Sequence, residues 1–545
     1  MSPYAVILTL VGYFIAVVVL GRVTARRGDF FATRSHRWWV VTLAMVSACM
    51  SGVSFVSVPG MVAGSGMGYL QMCIGFFLGY LVIAFVLTPL YFRLGVVSVY
   101  EYLDRRFGVT AHRWGAWLFF VSQLLRASLR LSLLCLTQQL LVFAPLGLPF
   151  VLNVVITVGI LLAYTWRGGV RSVIAADILR TVCMVSAVVL SIIFIGRALP
   201  GGVWGTIADS GMTRVFWLDD ANAPQYFWKQ LLGGFFIVIA MTGMDQDMMQ
   251  RNLACRSIRD SQKNLVLSSL LQIVVITGFL LLGVLLYAYA DYAVISNADP
   301  SVISSADPSV ISSADPSVIS SAVEKSLPTG DALFPTVAVN GGLPLIVGVL
   351  FILGLAAASY GAGGSALTAL TTAFVVDILP TPAQKGAFLC TNPSQEGNSC
   401  TKEGVFVHEY RQLRWVHLLL AGVMAVLVIL FGYFMDRGAL DAIYTVAGYT
   451  YGPILGLFSF GILTRRTFRR SDPTDKPWGD DSRHARPDRA SWAIPVAVLA
   501  APLICLLLNH YSVQLLNGYR FGYELLPLNA ALTFLLLYLG SIRKL

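Results

Sequence analysis

Residues 47–69, SACMSGVSFVSVPGMVAGSGMGY, form an apolar stretch interrupted by Gly52, Pro59, Gly60, Gly64, Gly66 and Gly68. A membrane helix that holds Gly and Pro in mid-span frees backbone carbonyls, and hydrocarbon tolerates this only where the break is buried in protein or lines a wet cavity. The stretch is therefore either a solute or ion site or a kinked helix packed through small residues.

Around it, the chain of 545 residues is 57% hydrophobic and 12% charged, with a mean hydropathy of +0.73. That composition excludes an ordinary soluble protein and gives an all-α polytopic membrane protein whose main partner is the lipid bilayer. About thirteen runs are long enough to cross with some tilt. They lie near residues 4–21, 38–62, 69–92, 114–143, 150–166, 172–197, 227–249, 265–290, 343–376, 414–434, 440–463, 491–510 and 522–541. The first run has no basic segment before it and Arg22, Arg26 and Arg27 after it, the reverse of a cleaved signal peptide, so it reads as a retained span. Most of the 38 Lys and Arg residues fall on one side of this map, which puts the N-terminus outside and the C-terminus in the cytoplasm. The same asymmetry accounts for the net charge of +10 without nucleic acid. Cys49, Cys73, Cys135, Cys183 and Cys505 sit inside apolar runs as core packing, with no disulfide framework.

Charges inside the spans are the next signal. Arg126 and Arg130 stand at i and i+4, on one side of the fourth span, well inside the membrane. They serve either to recognise an anionic group or to pair with a carboxylate of the bundle. Asp177 is the single carboxylate of the sixth span and a candidate cation ligand, or else a partner for Arg180 three residues on. The seventh span, Phe227 to Asn252, carries Gly233, Gly234 and Gly243 as candidate break points. Interrupted spans in corresponding places, here the second and seventh, point to an inverted-repeat transporter with its site between the breaks.

Other features carry no chemistry. Three copies of ADPSVISS at residues 298–321 read as a flexible expansion of an outer loop. Cys390, Cys400 and His408 fit no standard zinc spacing, so no transition-metal site is expected. The absence of HExxH, of a phosphate loop ending in GK and of paired His sites argues against an enzyme.

Five stretches in order carry a family resemblance: SACMSGVSF…PG, VSVYEYLDRRFG, YTWRGGVRSVIAAD, GMDQDMMQRNL and SALTALTTAFVVDIL. With them the chain resembles the sodium:solute symporter family, carriers with a LeuT-like core of two five-helix inverted repeats. The implied layout is a peripheral helix and cytoplasmic loop over 1–37, repeat one over 38–197, an outer loop over 198–226 and repeat two over 227–463. Repeat two would hold an outer loop at 291–342 and a cytoplasmic loop at 377–413. A basic linker at 464–490 and two peripheral helices over 491–545 complete it. The resemblance implies a sodium ion held by carbonyls of Ser47, Met50 and Ala358 and by hydroxyls at positions that here are Gly361 and Ala362. Those two residues have no side-chain oxygen, which weakens or abolishes that site. A second ion position is implied near Asp177 and Ser365.

The implied solute site comprises Ser54, Phe55, Cys73, Arg126, Met241 and Gly243. Half-helix N-termini and Arg126 favour a carboxylate-bearing or sugar-acid solute, with a neutral sugar or amino acid as the alternative. The expected function is a cation-coupled symporter of the inner or plasma membrane that imports a small organic solute by alternating access, with Na+ as the coupling ion and no other cofactor. A proton-coupled carrier and a solute sensor that moves no cargo are the alternatives.

Overall fold

A computed structural model describes residues 1–24, 38–94, 100–167, 171–253, 255–297, 329–374, 402–434, 438–464, 466, 468 and 492–541. The principal elements are helices. From the N-terminus they are α1 (Pro3–Thr24), α2 (Trp38–Cys49), α3 (Gly52–Gly60), α4 (Tyr69–Val82), α5 (Val109–Gln138), α6 (Phe150–Arg167) and α7 (Arg171–Ala198). Next come α8 (Phe227–Val238), α9 (Gln246–Leu253), α10 (Ile258–Asn297), α11 (Leu345–Ala373), α12 (Lys402–Phe434) and α13 (Ala439–Leu463). The chain then adds α14 (Ala493–Leu515) and α15 (Leu525–Gly540). Eight of the described helices are long and apolar enough to cross a bilayer unaided, and the pair α2/α3, bent by 53°, adds a ninth. Shorter apolar helices stand at the remaining expected positions. On α14 the side chains of Leu499, Leu503, Leu506 and Leu507 are exposed, an apolar surface that only hydrocarbon would stabilise.

The helices pack as two groups. In one, α4 lies along α8 while α10 covers α2, α3 and α4. In the other, α5 crosses α11 and α12, and α6 packs on α11 and α12. Flanking them, α7 runs against α10 and α11, and α13 lies between α5 and α15. The α4/α8 seam shows how small residues set the approach. An alanine Cβ at Gly75 would stand 2.3 Å from the carbonyl oxygen of Leu231, and one at Gly234 would stand 2.3 Å from that of Met72. Backbones this close leave no room for a side chain on either face.

Gly233 and Gly234 are accordingly packing residues and not break points, which corrects that expectation. Helix α8 runs straight through them, and Gly233 makes room for Tyr523. The break comes later, after a widened π-type turn at Ile239–Gly243. A short helix stands between α7 and α8 at Gly202–Asp209. The octapeptide repeats and the loop with Cys390 and Cys400 lie outside the described residues.

Gly234→Ala should cost about 1–3 kcal/mol through overpacking. Gly278→Ala, where a Cβ meets nothing within 4 Å, should not. Thermal unfolding of the two detergent-solubilised variants compares them directly.

Candidate functional site

Helix α2 ends at Cys49, and Ser51 (φ −91°, ψ 160°) turns the chain into α3. The Ser51 hydroxyl caps the new helix by accepting the Ser54 amide at 3.3 Å. Gly52 allows the break to press on α11, where a Cβ would meet the Ser359 hydroxyl oxygen at 2.8 Å. The last carbonyls of α2 have no continuing helix to bond, and they carry the partial negative charge of a helix C-terminus. The Ser47 carbonyl accepts a hydrogen bond from Arg180 Nη2 at 2.5 Å, and the same nitrogen donates to Ser47 Oγ at 2.7 Å.

In repeat two the freed carbonyls meet tyrosines. The Tyr91 hydroxyl donates to the Gly243 carbonyl and the Tyr100 hydroxyl to that of Met244, each at 3.1 Å. The next residue, Asp245, is buried and receives Arg126 Nη2 at 2.9 Å and the Tyr451 hydroxyl at 3.0 Å. Arg126 also donates to Tyr451 Oη and to the side-chain oxygen of Gln123, and its guanidinium lies 4.7 Å from the centre of the Tyr451 ring. Of the two readings of Arg126, the ion pair is therefore present. A buried pair of this kind is kept by the hydrogen bonds around it, because each ion alone would be costly to desolvate.

Between the two breaks lies a cavity of about 110 Å³. Ser54, Arg126 and Met241 of the expected solute set line it, together with Ala362 and Ser365 from the expected ion positions and with Arg130 and Asp245. Phe76 and Tyr444 also line it, and Tyr444 is hydrogen-bonded to Tyr69 at 2.6 Å. Three residues of the expected solute set are elsewhere. Phe55 is enclosed by Phe279, Phe334 and Phe351, with ring centroids 5.1–5.9 Å away. Gly243 faces Leu87 and Ile83 of the segment after α4, and Cys73 is buried outside the cavity lining. A one-residue step around a helix separates Phe55 from the wet side that Ser54 occupies, since neighbours point about 100° apart.

The residues implied for the sodium ion cluster where α2, α7 and α11 meet. Ser47, Met50 and Ala358 are buried there. A Cβ on Gly361 would have one neighbour within 4 Å among the described residues, Arg180 Nη1 at 3.7 Å. With a guanidinium on the Ser47 carbonyl and no hydroxyl at Gly361 or Ala362, the groups present do not fit a sodium ion at this position, since hard cations are held by shells of oxygen ligands. Ser365 Oγ donates to the Ala362 carbonyl of its own helix at 3.1 Å. Asp177 lies in α7, and its side chain is outside the described residues.

The sequence profile of the sodium:solute symporter family matches residues 30–357, more than half of the chain. The chain belongs to this family. Among its relatives are a sodium/sialic acid symporter of Aliivibrio fischeri, 23% identical over 84% of this chain and 83% of that protein, and a sodium-dependent multivitamin transporter of Oryctolagus cuniculus. The latter is 29% identical over 46% of this chain and 39% of its own length. A solved Na+-coupled sialic acid symporter, in a substrate-bound outward-open state, superposes over 99% of both chains with a TM-score of 0.69 at 19% identity. The fold is thus the LeuT-like arrangement of inverted repeats, and this family member is a membrane protein of a family of transporters.

Asp245 and Arg180 are the site residues that sequence reasoning did not assign to the site, whereas Arg130 was read beside Arg126 as a candidate for an anionic group. Asp245 was visible only as part of GMDQDMMQRNL. Asp245→Ala should destabilise the protein by about 3–5 kcal/mol, because it leaves the Arg126 charge buried without its carboxylate. Adding Arg126→Leu should recover much of that loss, a double-mutant cycle readable by thermal unfolding.

Proposed function

We propose that the chain is a Na+-coupled symporter that imports a small organic anion by alternating access. The observation that carries this reading is the cavity between two interrupted spans. Among the described residues its charged lining consists of Arg126, Arg130 and Asp245, a formal excess of one positive charge. The first turn of α3 opens on it at Ser51 and Ser54, adding the positive end of a helix dipole. An anionic group fits that field, and the relatives that carry sialic acid agree with it.

In this reading Arg126 is held by Asp245 and acts as the floor of the cavity, whereas Arg130 meets the solute. The Ser54 hydroxyl and Met241 shape the solute site. The coupling Na+ would take the position near Asp177 and Ser365. Solute and ion together would favour closure of the α2/α3, α4, α8 and α10 group against the α5, α6, α11 and α12 group, and the cavity would then open on the other side.

Uptake of radiolabelled sialic acid and of smaller carboxylates into proteoliposomes tests this. Accumulation should require an inward Na+ gradient, and a pH gradient in Na+-free medium should not replace it. Binding without accumulation would identify a sensor. Arg130→Ala should remove a charge-assisted hydrogen bond worth about 1.5–3 kcal/mol, so KM should rise roughly 10- to 100-fold for anionic solutes only.

A further inference from the structure

The groove where α2, α7 and α11 meet already contains a cation. Arg180 is 4% exposed, and its Nη2 bonds both the carbonyl and the hydroxyl of Ser47. That carbonyl belongs to the C-terminal turn of α2, where the helix dipole is negative and the break leaves the oxygen without a continuing helix. Across the groove, Nη1 faces Gly361, where a Cβ would stand at 3.7 Å. A serine there would bring its hydroxyl against the guanidinium. Glycine supplies no hydroxyl there, and Ala362 beside it offers no side-chain oxygen either.

Two features agree. The two hydroxyls a sodium ion would need on α11 are missing, and the Ser47 carbonyl it would need on α2 is taken by a group with a fixed positive charge. We propose that the Arg180 guanidinium is a resident cation at the first helix break, doing there what a bound sodium ion would do and excluding that ion. A guanidinium suits the place, because its forked donors reach two acceptors on one residue while its charge never leaves. A second cation in the same groove would meet a like charge at close range in a poorly screened interior.

The consequence for coupling rests on the reading of the chain as an ion-driven carrier. A tethered charge cannot be taken up on one side of the membrane and released on the other. This position therefore holds the broken span against α7 and α11 but transmits no ion gradient. Any Na+ that drives transport binds elsewhere, and its stoichiometry is one ion lower than with an ion in this groove as well.

The test uses the full chain, purified in detergent, with thermal unfolding followed in NaCl and in choline chloride at equal ionic strength. Arg180→Ala should unfold several degrees lower than wild type in choline chloride and recover with a saturable dependence on Na+. Arg180→Ala/Gly361→Ser/Ala362→Ser, which restores the missing hydroxyls, should recover further and at lower Na+ concentration. Arg180→Lys, which keeps a cation in place, should respond to Na+ no more than wild type does. Equilibrium binding of radioactive Na+ should show one more class of site in the triple variant than in wild type. The proposal is overturned if wild type gains as much from Na+ as the alanine variants, or if neither alanine variant gains any Na+-specific stability or site. Failure of wild type to accumulate solute in liposomes would instead count against the carrier reading and leave this comparison standing.

Discussion

A carbonyl freed inside a membrane must find a donor, and the rest of this protein is arranged around meeting that need twice. At the first break the donor is Arg180 on α7, which reaches the Ser47 carbonyl of α2. At the second break the donors are Tyr91 and Tyr100 from the first repeat, on the carbonyls of Gly243 and Met244. Each solution ties a broken helix to a different element. The breaks thereby become the places where the helix groups are fastened to each other.

The two breaks also differ in charge. The first holds a permanent cation. The second ends at Asp245, a carboxylate paired with Arg126 from α5 and hydrogen-bonded by Tyr451 from α13. These pairings join the two helix groups and α13 at the cavity wall, to which Phe76 and Tyr444, hydrogen-bonded to Tyr69, also contribute. A carrier must be able to loosen such closures one at a time. Contacts made of a few polar groups suit this better than the continuous glycine-packed seam of α4 and α8, where backbone meets backbone over several turns.

Much of this was legible beforehand, and the gaps have a pattern. The interrupted second and seventh spans were readable because Gly and Pro mark breaks locally. Yet Gly233 and Gly234 turned out to pack against Tyr523 and Met72, since a glycine in a membrane helix serves close approach as readily as interruption. Ser54 and Met241 were placed correctly on the cavity, whereas Phe55 and Gly243 face away from it because helical phase shifts by 100° per residue. The missing hydroxyls at Gly361 and Ala362 were visible in the sequence. Their explanation was not, because it stands on another helix.

Hydropathy and its interruptions, properties of contiguous residues, were enough to establish an all-helical membrane protein and to locate its helices. Which charges meet inside was decided by the fold alone. Arg126 finds Asp245 across 119 positions of chain, and Arg180 finds Ser47 across 133. No local pattern encodes a choice among several buried partners, because burying a charge makes some partner obligatory without saying which one. The approach of α5 to the break between α8 and α9, and the packing of α7 beside α2, made that selection.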